Sequence, residues 1–152
     1  MLLPDVGLND LTLLPAVPAE LARTGSIAPS IRRHLAEAGY EVKSPVADRE
    51  LRDGVTSGYL AAHPEAAAAA ARRADADWIA VVRLTKPSFL FCYVVVDVVD
   101  ARSGRSAGNS YVELKGPMGD TKLTERGAQE LAARIDRMIR RTPPALAAGE
   151  GR

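Results

Sequence analysis

The sequence contains few side chains that could act as nucleophiles, acids or bases. Its two histidines, His34 and His63, lie on a predicted helix and just before another, and neither falls in a motif that pairs an imidazole with a nucleophile. Cys92 is the single cysteine, so it forms neither an internal disulfide nor a multi-cysteine metal site. Ser88 lies in a turn-like TKPS stretch, outside the strand–turn–helix context of a nucleophile elbow. No catalytic residue, and therefore no enzyme, is predicted.

Clustered carboxylates are the other source of chemistry, because hard cations are bound by several oxygen ligands. Asp75 and Asp77 stand two residues apart in ADADW, and in an extended chain both would point to one side and could share an ion. A second acidic group at residues 48–53 is diluted by two arginines. These carboxylates support an alternative prediction, a metal-ion or small-ligand carrier. No phosphate loop or GxGxxG pattern is present, so no cofactor is predicted.

Composition describes an ordinary globular chain of one domain. It has 152 residues, of which 47% are hydrophobic and 26% charged. A formal net charge of +1 favours neither nucleic acid nor an anionic membrane surface. The first residues lack the positively charged and uninterrupted apolar regions of a secretory signal. The expected location is the periplasm if a leader has been removed, and the cytoplasm otherwise.

Apolar residues recur at four-residue steps from Ile27 to Leu35, which predicts a helix. Ser26 or Ser30 would cap its start, and Pro29 would lie in its first turn.

Three further helices are predicted. Residues 46–63 carry a short one, and the six consecutive alanines after Pro64 predict a packing helix. The segment DTKLTERGAQELAARIDRMIRR predicts the last helix, with Asp120 or Thr121 as its cap.

Segments rich in β-branched and aromatic residues predict three strands, at Asp77–Leu84, Phe89–Asp100 and Ala107–Lys115. The links between them are short and turn-like, so neighbouring strands should be antiparallel. Short strands at Tyr40–Lys43 and Val6–Leu14 would extend the sheet. The predicted fold is α/β, of the α+β type: an antiparallel three-stranded meander extended by one or two N-terminal strands, with helices packed mainly on one face.

The central strand is apolar on both of its sides. Its run of apolar residues is too short to cross a membrane as a helix. Because successive side chains of a strand point to opposite faces, its even positions form an apolar set that would lie beneath helices. That set is Leu90, Cys92, Val94, Val96 and Val98. The odd positions are aromatic and aliphatic with one acid, namely Phe89, Phe91, Tyr93, Val95, Asp97 and Val99.

Two interpretations of the odd-numbered side remain open. Other parts of the chain could cover it, or it could be an exposed patch that binds a partner, a ligand or a second copy. In the second interpretation the aromatic residues form the contact surface and charged residues form its rim. The predicted binding residues are Phe89, Phe91, Tyr93, Asp97, Tyr111, Glu113 and Lys115.

The segment ADWIAVVRLTKPSFLFCYVVVDVVDARSGRSAGNSYVELKG resembles part of an uncharacterised bacterial family of small, usually exported α/β proteins, known as domains of unknown function. The matching positions are Ala76, Asp77, Lys86, Ser88, the turn at 100–104 and the last helix near Gly127. The resemblance implies an exported, periplasmic protein without an established enzymatic role. Some relatives are encoded near quinoprotein alcohol dehydrogenase systems, which implies an accessory role. The chain departs from the family in showing no leader and no paired cysteines before the first meander strand.

Together these patterns predict one domain over residues 1–141 and a disordered tail over 142–152. The predicted function is that of a non-catalytic binding or accessory protein that acts through the aromatic side of the sheet. Its expected partner is another protein or a second copy, with no nucleic acid and no membrane span.

Overall fold

The computed structural model describes residues 1–12, 14–45, 57–88 and 91–143. In these ranges the elements are β1 (Gly7–Asp10), α1 (Pro18–Glu37), α2 (Ser57–Ala62), α3 (Pro64–Arg73), β2 (Trp78–Lys86), β3 (Phe91–Asp100), β4 (Ser106–Lys115) and α4 (Thr121–Arg141). The strands form one sheet in the order β1-β2-β3-β4. β1 is parallel to β2, whereas β2, β3 and β4 are antiparallel neighbours. The predicted α+β class and the meander are confirmed. Within the described ranges, no helix has the length and apolar character needed to span a bilayer.

The first ten residues run beside β2 and extend the sheet at one edge. Leu2 donates its amide to Trp78 O at 2.7 Å and accepts from Ala80 N at 3.0 Å, and β1 then pairs with the far end of β2. The predicted N-terminal strand is therefore confirmed, but it is Gly7–Asp10 rather than Val6–Leu14.

The predicted strand Tyr40–Lys43 is wrong in its extent, because only Lys43 forms a bridge, to Leu2. Gly39 has a φ of +97°, the left-handed conformation that ends many helices. The amide of Tyr40 still bonds to Leu35 O at 3.0 Å. The chain is therefore completing the end of α1 where a strand was expected.

α1 begins eight residues before the earliest predicted cap, at Pro18 instead of Ser26. Pro29 consequently lies inside the helix rather than in its first turn. The added turns are polar in sequence, yet Glu20 and Arg23 within them are buried. Tertiary contacts of these side chains, described below, stabilise turns that the apolar pattern does not indicate.

The long helices α1 and α4 lie on one side of the sheet, which we call the helix face. Its core contains every even-numbered β3 residue from Cys92 to Val98, together with apolar residues of both helices. A Cβ on Gly127 would lie 2.6 Å from Leu114 Cδ2, so this glycine allows α4 to approach β4 closely. Asp120 caps α4 as predicted, because its Oδ1 accepts from Leu123 N at 2.9 Å.

The short helices α2 and α3 lie on the opposite side of the sheet, which we call the second face. There the alanines of α3 and Leu60 of α2 form a second core with sheet residues near the start of β2, including Ile79, Val81 and Val99. The predicted alanine packing helix is confirmed, and part of the predicted helix at 46–63 is α2. Residues 46–56, 89–90 and 144–152 lie outside the described residues, and so does most of the predicted tail.

Candidate functional site

The part of the second face that α2 and α3 leave uncovered is the candidate site, and we call it the aromatic face. It comprises Arg83 of β2, Phe91, Tyr93, Val95 and Asp97 of β3, and Tyr111, Glu113 and Lys115 of β4. Strand pairing places these side chains beside one another. The cross-strand pairs are Arg83 with Val95, Val95 with Tyr111, Tyr93 with Glu113, and Phe91 with Lys115. Six of the predicted binding residues, Phe91, Tyr93, Asp97, Tyr111, Glu113 and Lys115, therefore share one side of the sheet with Arg83 and Val95, which were not predicted. Phe89 lies outside the described residues.

Three rings form the centre of the aromatic face. Phe91 and Tyr93 meet edge to face, with centroids 5.6 Å apart and planes at 81°. Tyr93 meets Tyr111 in the same way, at 5.7 Å and 80°. Tyr111 is 58% exposed, and the other two rings are half-buried. Edge-to-face contacts fix the orientation of each ring, so the three rings form an ordered surface.

The charged residues at the rim neutralise one another in pairs. Arg83 donates to Asp97 Oδ2 at 2.9 Å, and Lys115 Nζ lies 3.5 Å from Glu113 Oε1. The Lys115–Glu113 pair lies on β4 beside Phe91 and Tyr93, and the Arg83–Asp97 pair joins β2 to β3 beside Val95. The face therefore presents an apolar centre with a polar rim of no net charge, the composition expected of a surface that contacts protein.

Among the described residues, α2 and α3 leave the aromatic face open because both helices are short. A ten-residue strand such as β3 extends about 33 Å, whereas a ten-residue helix such as α3 extends about 15 Å. α3 and α2 therefore cover only the end of the second face near Ile79 and Val99.

Arg134 of α4 lies beside the outermost strand at this edge of the sheet. Its Nη1 donates to the backbone oxygen of Tyr111 at 2.6 Å and to Ser110 Oγ at 3.1 Å, and its other nitrogen pairs with Glu130. Sequence reasoning grouped Arg134 only with other basic residues of the last helix. Charged side chains at exposed strand edges limit unspecific pairing with other strands.

A buried ion cluster lies on the helix face, and sequence reasoning missed it. Lys86 Nζ is 2.8 Å from Glu20 Oε2 and 3.6 Å from Asp10 Oδ2, and Arg23 lies 3.6 Å from the other oxygen of Glu20. The hydrogen bond to Glu20 raises the pKa of Lys86. The alternation of β2 could have predicted that Lys86 is buried. Lys86 is an even-numbered residue, and the even-numbered residues of β2 before it point to the helix face.

The same cluster lies close to Cys92. Burial raises the pKa of the Cys92 thiol, which favours the unreactive protonated form. Among the described residues, this cluster pairs two cations, Lys86 and Arg23, with two carboxylates, Glu20 and Asp10.

The two candidate metal ligands border a surface cavity of about 260 Å³, lined by Arg72, Asp75, Ala76, Asp77, Ala101 and Arg102. Asp75 follows α3 with a φ of +51°, so the chain is not extended there, as a shared ion would require. Its Oδ2 lies 3.9 Å from Lys43 Nζ. Two guanidinium groups in the same lining oppose cation binding. In the described ranges, no group of three metal-ligating side chains occurs. The carrier function stays a prediction, and the acidic group at 48–53 lies outside the described residues.

Both histidines have carboxylate neighbours. His34 Nε2 is 2.8 Å from Glu125 Oε1, and Ser30 Oγ donates to the other oxygen of Glu125 at 2.6 Å. The serine is thus bonded to the acid and not to the imidazole, so this arrangement links α1 to α4 instead of activating a nucleophile. His63 stacks on Tyr59, with ring centroids 4.3 Å apart.

Solved structures share this fold. A PelC dodecamer from Paraburkholderia phytofirmans has a TM-score of 0.54 at 12% identity, over 91% of this chain and 84% of that one. Lipoprotein GNA1162 from Neisseria meningitidis has 0.53 at 17% identity, over 94% and 97%. The hypothetical protein CT253 from Chlamydia trachomatis has 0.54 at 14% identity, over 93% and 99%. At such identities the likeness establishes the fold alone.

No curated protein matches the chain by sequence. A family model does match, over residues 3–137, which is most of the chain. The expected membership of an uncharacterised family is thereby confirmed: the chain belongs to DUF3280, described as a protein of unknown function (DUF2380).

Proposed function

We propose that this chain is a non-catalytic accessory protein that acts by binding protein through its aromatic face, and that its first partner is another copy of itself. Phe91, Tyr93 and Tyr111 would form the contact, and the rim would include Asp97, Glu113 and Lys115. The observation that carries the proposal is the ordered ring cluster, which ends in a tyrosine that is 58% exposed. Aromatic residues are enriched where proteins meet, and they dominate the energy of such contacts.

Two further observations support self-association. The rim charges are already paired within one chain, so a neutral partner surface could cover them without leaving a charge unpaired. The fold is also compatible with self-assembly, because the PelC structure that shares it is a dodecamer.

The test is the oligomeric state of the purified chain, measured by sedimentation velocity and light scattering over a wide concentration range. Tyr111→Ala should shift the population toward monomer, because it removes the most exposed ring of the contact. Tyr59→Ala is the matched control, since Tyr59 is 49% exposed but lies on α2. Self-association is wrong if the wild type stays monomeric, or if the Tyr111 and Tyr59 variants behave alike.

The cellular setting is a separate part of the proposal. We propose that the protein is a periplasmic accessory of a quinoprotein alcohol dehydrogenase system, as the family resemblance implies. A lipoprotein among the structures that share the fold supports the location. Fractionation of cells that express the natural gene tests the location, and recovery in the cytoplasm alone would contradict it. Growth of a deletion strain on alcohols tests the role, and normal growth would contradict it.

A further inference from the structure

Strand β4 has an open edge in the part of the chain that the structure describes. It is the last strand in the sheet order and pairs there with β3 alone, so its other side meets no strand. Tyr111 O points to this outer side, because the guanidinium of Arg134 reaches it at 2.6 Å. Alternate residues of a strand direct their backbone groups to the same edge, so Asn109 and Glu113 also direct theirs outward. These groups can pair with an added strand.

Arginines of α4 run beside this open edge. At 3.6 residues per turn, five positions of α4 fall within about 80° of one another around the helix axis. We call them the arginine stripe: Arg126, Glu130, Arg134, Arg137 and Arg141. Arg126, Arg137 and Arg141 are exposed, and no described carboxylate forms an ion pair with them. The stripe therefore carries an excess of positive charge next to unpaired backbone.

Arg134 joins the edge to the stripe. It donates to Tyr111 O and to Ser110 Oγ, and its other terminal nitrogen pairs with Glu130. An incoming strand that donates to Tyr111 O displaces this guanidinium from it. A carboxylate on the incoming strand gives the guanidinium a new partner, whereas an uncharged or basic strand does not. The edge therefore favours an acidic strand.

We infer that this edge binds an extended acidic segment of another protein, which adds to the sheet as an antiparallel strand beside β4. Backbone hydrogen bonds give such contacts their affinity, and alternate side chains give specificity. Residues whose backbone faces β4 share the side of the sheet with Tyr111, and the residues between them face α4. Acids are therefore needed at every second position. The surface and the partner both differ from those of the proposed self-association.

The first test varies the ligand. A short peptide with blocked termini and a fluorescent label, in which glutamate alternates with valine, should bind the purified chain in an anisotropy titration. Lysine in place of glutamate should weaken binding about tenfold or more. A third peptide keeps every glutamate but carries N-methyl groups on the valine amides, which face β4. Loss of these donors should also weaken binding about tenfold or more.

The second test varies the protein. Arg137→Glu reverses one exposed charge of the stripe and should weaken binding of the glutamate peptide about fivefold or more. Arg73→Glu, at an exposed position of α3, is the matched control and should bind as the wild type does.

Backbone pairing is tested at Glu113. Glu113→Pro removes one outward-facing amide of β4 and should abolish binding, since proline is tolerated at a strand edge but donates no hydrogen bond. Glu113→Ala keeps the amide and should still bind. Circular dichroism checks that both variants fold. If the proline variant is unfolded, the N-methyl peptide makes the same distinction from the side of the ligand.

The outcomes decide the inference separately from the proposed function. Equal binding of the glutamate and N-methyl peptides overturns it, because the contact would then be ionic alone, as with any polyanion. Equal binding by the Arg137 and Arg73 variants also overturns it. Tyr111→Ala damages the aromatic face but keeps the edge and the stripe, so it should still bind the peptide, and loss of binding there would assign the peptide to the aromatic face. A wild-type chain that stays monomeric but binds the peptide contradicts self-association alone.

Discussion

The two sides of strand β3 are similar in composition and different in environment. On the helix face, Cys92, Val94, Val96 and Val98 are at most 1% exposed, whereas Phe91, Tyr93 and Val95 on the other side are all partly exposed. The covering helices explain the contrast. α1 and α4 have 20 and 21 residues, while α2 and α3 have 6 and 10. Burial therefore depends on how far the covering elements reach and not on the apolar character of the strand.

The same contrast applies to charge. Lys86 and Arg83 are on the same strand, three residues apart, and point to opposite faces. The Lys86–Glu20 pair has side chains that are 5% and 0% exposed, against 30% and 21% for Arg83–Asp97. Equal chemistry in unequal solvent exposure should have very different effects on the free energy of unfolding.

The largest difference in stability is expected between two variants that each remove the carboxylate from one of these pairs. Glu20→Ala takes away the partner 2.8 Å from Lys86 at a buried position, and should lower the free energy of unfolding by about 3–5 kcal/mol. Asp97→Ala removes a partly hydrated partner and should cost about 1 kcal/mol or less. Urea unfolding monitored by circular dichroism measures both. Equal costs would contradict the contrast between the faces.

A smaller effect should separate the two halves of the second face itself. Val99 and Val95 are on the same strand and the same face, but Val99 lies under α3 and is 2% exposed. Val99→Ala should cost about 2 kcal/mol, through lost burial and a residual cavity. Val95→Ala should cost about half of that or less. Urea midpoints of the two variants give the comparison, and a greater loss at Val95 would mean that the aromatic face is covered in solution.

Acid should weaken the helix face through Glu125. Its hydrogen bond from Ser30, followed by that from His34, lowers the pKa of this carboxyl. A lowered folded-state pKa contributes stability above the ordinary glutamate pKa of about 4.3, and this contribution is lost as pH falls through the folded value. The free energy of unfolding of Glu125→Gln should therefore fall less steeply with acidification in that window.

Ser30→Ala provides the control for this titration. It keeps the carboxyl but removes the first cause of the lowered pKa, so its slope should lie between those of the wild type and Glu125→Gln. Urea unfolding at a series of pH values measures all three. Identical slopes would show that the hydrogen bonds from α1 to Glu125 of α4 do not contribute to the pH dependence of stability.

Local patterns in the sequence were sufficient to predict most elements of the fold. The alternation in β3, the six alanines after Pro64 and the capping Asp120 each depend on neighbours within a few residues. The start of α1 could not be predicted in this way. Glu20 stabilises it by pairing with Lys86, which is 66 residues away, and a polar turn that is buried by a distant cation looks like solvent-exposed sequence.

The side of the sheet that the aromatic residues share was predictable from the sequence, but the part of that side that stays exposed was not. Parity alone placed Phe91 and Tyr93 on one side of the sheet. The contact of Tyr93 with Tyr111 also requires the register of β4, which the turn at 101–105 sets. How much of the second face α3 covers depends on where that helix lies on the sheet, and no local pattern encodes that position.

The smallest effect on stability is expected at Tyr111, although its effect on assembly should be the largest. Its ring is 58% exposed and contacts one other ring, that of Tyr93, which itself contacts two. Tyr111→Ala should therefore lower the free energy of unfolding by less than about 1 kcal/mol, and Tyr93→Ala by more. Urea unfolding at a concentration where both chains are monomeric measures the difference. A large loss at Tyr111 would mean that the ring supports the fold, and loss of assembly in that variant could then no longer be assigned to the surface.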